Sequence, residues 1–278
     1  MNPDSIGPGE RMLFLKKILI YALATIVSSW ILVPLALIFI SAFAVPEEYY
    51  NLNKIIPTSF TIENVNALLF ALKEWKATLN SIIVALLTIA ISFTLGLPTG
   101  YALARYIFPG RDLFKLLIIS LRMFPLMIMA IPLTILYINL GLSDTLLGVA
   151  IAHTSLALPF VVLITSSIFV SVPVEYEEAA MVFGLTRFET FFKITLPLIL
   201  PGLAAAAIFT FVMSWNEVFV ASVLTLVNRT LPADILVSVL AAPDPYKFAA
   251  GFIMVLPAMI FVFMTRKYLV AMWGITLR

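Results

Sequence analysis

Three ionisable side chains fall inside long apolar runs: Arg122, His153 and Glu217. Charge at membrane depth is costly, so such residues face a protein interior or a water-filled path. Arg122 lies in Leu121-Arg122-Met123-Phe124-Pro125, about nine residues or ~13 Å into its run. His153 is eight residues, ~12 Å, from the far end of the next run. Glu217 closes Ser214-Trp215-Asn216-Glu217, nineteen residues or ~28 Å along a later one. These depths place Glu217 near one mouth, Arg122 near the middle and His153 between them, and they argue against an Arg122–Glu217 bond. The chemistry on offer is hydrogen bonding to a polar solute. Asn216 and Glu217 exchange bonds with hydroxyls, and the face of Trp215 stacks on the C–H side of a sugar ring. Thr210, Ser214 and Glu217 share one helical face, while Trp215 and Asn216 turn about 100° and 200° from Ser214, so not all of them face one cavity. The competing assignment for each is interhelical hydrogen bonding, or, for Arg122, a stem that snorkels towards water.

Composition removes other chemistries. Of 278 residues, 62% are hydrophobic and 12% charged, with a mean hydropathy of +1.09. A soluble domain carries about a quarter charged residues. There is no cysteine, which excludes disulfides, thiol catalysis and thiolate metal sites, and a single histidine argues against a His-based metal centre. An intramembrane enzyme needs a catalytic dyad or a motif such as His-Glu-x-x-His, and none is present. No phosphate-binding Gly-Lys-Ser/Thr loop occurs, so the chain does not hydrolyse ATP. The net charge of +2 suggests no nucleic-acid surface.

Positioning falls to six apolar stretches, near 18–44, 79–104, 113–138, 145–170, 198–226 and 249–267. Each is long enough to cross a ~30 Å hydrocarbon core. The first, about 27 residues, exceeds the ~7–15 of a secretory signal and reads as an uncleaved span. Basic residues set the orientation. With both termini in the cytoplasm, eleven Lys and Arg lie inside and five outside. The expected architecture is all-α and polytopic, with a cytoplasmic N-terminus (1–17), a first span (18–44), an external loop (45–78), a core (79–267) and a cytoplasmic tail (268–278). Pro34, Pro98, Pro125, Pro132, Pro159 and Pro257 supply bends inside spans.

Between the fourth and fifth stretches, residues 173–197 read as two short helices. Pro173 opens the first, and Tyr176, Ala179, Ala180 and Phe183 form one apolar stripe. Gly184 suits the left-handed position that ends a helix. Thr186 and Glu189 form a capping box for a second helix carrying Phe188, Phe191, Phe192 and Thr195, which Pro197 closes.

At these residues the chain resembles a known family. Glu178-Ala179-Ala180, three residues, Gly184, nine residues, Ile194, one residue, Leu196-Pro197 is similar to the coupling (EAA) loop of permease subunits of binding-protein-dependent ABC importers. Ser214-Trp215-Asn216-Glu217, Met123-Phe124-Pro125 and Arg266-Lys267-Tyr268-Leu269-Val270 resemble its carbohydrate-uptake, maltose-type branch, and the likeness covers roughly 75–272. Phe183 and Leu185 depart from the acidic and small residues usual around the glycine, implying a more apolar docking contact. The resemblance implies a type I importer transmembrane domain in a prokaryotic cell membrane, non-catalytic, docking an ATPase through 173–197. Together with the ionisable groups at membrane depth, it implies a substrate path of Arg122, Phe124, His153, Ser214, Trp215, Asn216 and Glu217, and a sugar as solute, with a polyol or phosphorylated glycerol as the alternative. It further implies a second, non-identical permease subunit, two ATP-binding subunits that hold the ATP and magnesium, an external solute-binding protein and surrounding lipid. No cofactor on this chain follows from it.

Overall fold

A backbone inside lipid has no water to bond, so it pairs internally, and the apolar runs become helices. The computed structural model describes residues 8–51, 56–239 and 241–272. They form two compact units, Met1–Leu68 with Pro243–Phe252, and Leu69–Ala242 with Ile253–Arg278.

The first unit contains α1 (Pro8–Ala42), α2 (Pro46–Tyr49) and α3 (Glu63–Asn66). Phe39, Phe43 and Phe252 form a ring cluster with centroids 5.0–5.3 Å apart. Asn64 Nδ2 donates to the carbonyls of Ala42 and Ala44, satisfying the end of α1. Most of α1 is exposed apolar surface, as a lipid-facing helix is.

The second unit runs through α4 (Glu74–Arg105), α5 (Arg111–Ser120), α6 (Leu126–Asn139), α7 (Leu146–Ser171), α8 (Glu175–Val182), α9 (Arg187–Thr190), α10 (Leu196–Trp215), α11 (Phe219–Leu224) and α12 (Leu231–Asp234). Helix α13 (Asp244–Met272) continues the chain. Five helices among the described residues are long and apolar enough to cross a membrane, and the α5–α6 pair makes a sixth if counted as one bent span.

The α4–α7 pair is the packing centre of this unit. One face of α4 carries Ser81, Ala85, Thr88, Ser92, Gly96 and Gly100, all buried. Small residues let two membrane helices approach closely, where dispersion and weak polar contacts act without a hydrophobic drive. The approach is tight. A Cβ on Gly96 would lie 2.7 Å from Val161 Cγ1, and one on Gly100 would collide with Thr165 Oγ1.

Two expected spans are not single rods. The stretch expected over 113–138 turns by 90° between α5 and α6. Pro125 forces Phe124 into an extended conformation (φ −68°, ψ 125°), which no helix continues. The stretch expected over 198–226 stops at Trp215, and α11 restarts at Phe219. Arg122 lies just before the first break and Glu217 just after the end of α10, so it is the residues beyond the breaks that leave the straight-helix path. Pro197 also behaves differently from expectation. It lies in the first turn of α10, and a wide π-helical turn over Phe191–Thr195 carries the chain from α9 into it without a stop. That turn changes the bonding register just before the proline, whose missing N–H then goes unneeded.

Candidate functional site

One helix break gathers Ser214 and Glu217 around His153, and the other leaves Arg122 bonded to backbone and apolar side chains. At the α10–α11 break, Glu217 accepts the backbone N–H of Val220 on Oε1 (3.0 Å) and of Ala221 on Oε2 (3.1 Å). It thereby satisfies the freed start of α11. Glu217 Oε2 also lies 3.2 Å from His153 Nε2. The other ring nitrogen, Nδ1, is 2.8 Å from Ser214 Oγ, which in turn is 3.5 Å from Thr88 Oγ1. A buried polar chain thus links α4, α7, α10 and α11, with His153 fully buried at its centre. Thr88 is a member that sequence reasoning missed; the serine and threonine spacing along α4 was the available signal.

Arg122 sits just before the other break. Its Nη1 donates to the Leu156 carbonyl of α7 at 2.6 Å and approaches Met213 Sδ at 3.8 Å, and its guanidinium lies 4.2 Å from the Phe160 ring centroid. Cation–π attraction and a charge-assisted bond hold it there. Pro159 opens the helical ladder in the same turn of α7. Among the described residues no carboxylate lies within ion-pair distance of Arg122. Phe124 and Asn216 are exposed, each at a helix break, and Asn216 Nδ2 bonds the Val212 carbonyl. Irregular backbone at membrane depth persists only inside protein or beside a watery cavity. Trp215 differs from expectation: it is 1% exposed, stacked on Phe211 at 5.8 Å, with Nε1 donating to the Met254 carbonyl. Its ring faces are committed to packing, so it is not placed to stack on a solute.

Residues 173–197 form the second constellation. Gly184 has φ +93°, with Gly184 N donating to Met181 O and Leu185 N to Ala180 O, the paired bonds of a left-handed helix stop. Thr186 and Glu189 make the reciprocal capping box. The stripe expected to be uniform splits in two. Ala180 is buried, whereas Tyr176, Ala179, Val182 and Phe183 face outward with Glu178. The inward face is instead led by Glu177, unremarked in the sequence. Its carboxylate receives Arg105 Nη2 at 2.7 Å, Arg105 Nε at 2.9 Å and the Tyr101 hydroxyl at 2.7 Å. Arg105 Nη2 also donates to Val172 O. The Tyr101 ring lies edge-on to Phe169 and Phe191, both at 5.2 Å. Ile194 and Leu196 are half-buried and Pro197 is exposed along the wide turn.

Residues 96–272 match the family of binding-protein-dependent transport system inner membrane components. The chain belongs to this family. Among curated relatives, it is 31% identical over 255 residues to a trehalose transport system permease protein, SugB, of Mycobacterium tuberculosis, covering 90% of this chain and 93% of that one. It is 34% identical over 217 residues to an osmoprotective compounds uptake permease protein, GgtD, of Synechocystis, covering 76% and 73%. The fold is similar to that of a bacterial ABC transporter that imports the acidic polysaccharide alginate, with a TM-score of 0.75 at 18% identity over 95% of this chain and 99% of that one. This inner membrane component is thus a multi-pass permease, and its two-helix elbow (173–197) and both helix breaks fall within the matched region.

Proposed function

We propose that this permease is one half of the translocation path of an ATP-driven sugar importer, and that residues 173–197 dock an ATP-binding subunit. One observation carries the reading. The elbow exposes Val182 (84%) and Phe183 (86%) on its outer side, while its inner side is bound to α4 by the buried Arg105–Glu177 pair. An exposed apolar knob on a stiff mount suits a partner groove. The excess of basic residues on the same side of the membrane supports a cytoplasmic location, where ATP is available.

The working partners are a second, non-identical permease subunit, two ATP-binding subunits that carry the nucleotide and magnesium, and an external receptor. The permease itself performs no catalysis. Closure of the ATP-binding subunits displaces the elbow, and the Glu177 carboxylate passes that displacement to α4 through Arg105 and Tyr101. Because α4 is locked to α7 at Gly96 and Gly100, α7 moves as well. Helix α7 holds both helix breaks, through His153 at Glu217 and the Leu156 carbonyl at Arg122. The two arrangements of the breaks then present inward- and outward-facing cavities, and ATP shifts the equilibrium only by binding one of them better.

A sugar is favoured as solute by the curated relatives and by the exposed Asn216 amide at a break. A phosphorylated glycerol, the alternative, needs a cation such as Arg122 to meet its charge, and that guanidinium is turned to Leu156 and Phe160. The test joins two measurements on the assembled transporter. Cysteine at Val182 or Phe183 should crosslink to the ATP-binding subunit, and receptor loaded with trehalose or another disaccharide should raise ATP hydrolysis where glycerol phosphate does not. Labelling of those cysteines from outside intact cells, or the reverse solute preference, overturns the reading.

A further inference from the structure

We propose that the groove beside the elbow is a binding site for an anionic phospholipid. The cavity, about 450 Å³, is lined by Pro98, Tyr101 and Ala102 of α4 and by Phe188, Phe191 and Phe192, and its walls are overwhelmingly apolar. Pro98 lies seven residues before the end of α4, about 10 Å along the helix, so the deep end of the groove reaches into the hydrocarbon. A water-soluble subunit does not enter there. An acyl chain does.

The shallow end has the opposite character. Arg187 lines it, with Nη1 donating to the Tyr106 hydroxyl at 3.2 Å, just past the last turn of α4. Among the described residues no carboxylate lies within ion-pair distance of Arg187; Glu177 and Glu178 line an adjoining cavity with it, and its guanidinium donates to a neutral phenol. Tyrosine and arginine at this level are the usual anchors of a membrane boundary, and a guanidinium fork matches a phosphodiester. Aromatic walls below a cation with no ion-pair partner fit one ligand: a glycerophospholipid with its headgroup on Arg187 and one chain among the phenylalanines. The inference relies on the chain crossing the membrane, not on the docking role, and it is read without nucleotide.

The test is native mass spectrometry of the whole transporter released from nanodiscs of phosphatidylglycerol and phosphatidylcholine. Wild type should retain phosphatidylglycerol preferentially. Arg187→Gln should lower that retention by about fivefold, the equivalent of one interfacial cation, and Arg187→Lys should preserve most of it. Ala102→Phe fills the groove while leaving the charge in place, and should reduce retention of either lipid. Equal retention of the two lipids by wild type, unchanged retention in Arg187→Gln and Ala102→Phe, or a photocrosslinker at Phe192 that captures protein in place of lipid overturns the proposal.

Discussion

Glu177 and Arg105, 72 residues apart in the chain, meet in a two-point ion pair, with side-chain exposures of 7% and 8%. Buried partners of this kind are far more costly to separate than to replace together. Glu177→Leu should therefore destabilise the assembled permease by about 3–5 kcal/mol, because it strands a buried guanidinium. The double variant Arg105→Met with Glu177→Leu should recover most of the loss in thermal unfolding. Uptake should stay low in both, since neither retains the link between elbow and α4. Full uptake in the double variant would argue that the link transmits nothing.

Gly184 has φ +93°, and a side chain there would meet nothing within 4 Å. The penalty for substitution is thus backbone strain without collision, on the order of 1–2 kcal/mol for a residue with a Cβ. Gly184→Asn should remain close to wild type, Gly184→Ala intermediate, and Gly184→Val most impaired in ATP-driven uptake, with expression intact in all three. Equal uptake by the valine and asparagine variants would separate elbow geometry from coupling.

Gly100 presents the reverse case, an ordinary helical conformation with no room. A Cβ would strike Thr165 Oγ1 and lie 3.0 Å from Ser166 N. Gly100→Ala should lower thermal stability by about 1–3 kcal/mol through overpacking. Adding Thr165→Ala removes the colliding hydroxyl and should restore part of the loss. Restoration by Thr165→Ala, measured as coupling in a double-mutant cycle, identifies the α4–α7 contact as the cause.

Asp144, in the loop between α6 and α7, has φ +54°, and its Oδ1 accepts the backbone N–H groups of Leu226, Val227 and Asn228. Partial burial pushes its pKa up, but the three N–H bonds and the charge of Arg229 outweigh this and hold the group below the usual 3.8. The carboxylate is bonded in the folded state, so its contribution is complete above the ordinary value and is lost as pH falls through the depressed one. Protease nicking or hydrogen exchange at 226–228 should stay low from neutral pH down to the ordinary carboxylate range and rise only in stronger acid. Asp144→Asn should show raised exchange at every pH.

The sequence determined that the chain crosses a membrane, that Gly184 ends a short helix and that Thr186 and Glu189 start the next. These follow from local rules: apolar length, the conformational freedom of glycine and a three-residue capping spacing. It also marked Arg122, His153, Ser214 and Glu217 as polar groups within apolar runs. Their partners were not legible. His153 meets Glu217 across 64 residues, and Arg122 meets a backbone carbonyl whose availability no side-chain pattern reveals.

Helix breaks at Pro125 and Asn216 take the residues beyond them off the straight cylinders on which periodicity depends. Trp215 shows the same limit, because a buried indole stacked on Phe211 and a solute-facing indole have one sequence. Tertiary packing alone decided which side of α8 turns inward. There a buried carboxylate, Glu177, turns inward beside Ala180 while Tyr176 and Phe183 turn out, because Arg105 on α4 neutralises it and the Tyr101 hydroxyl donates to it.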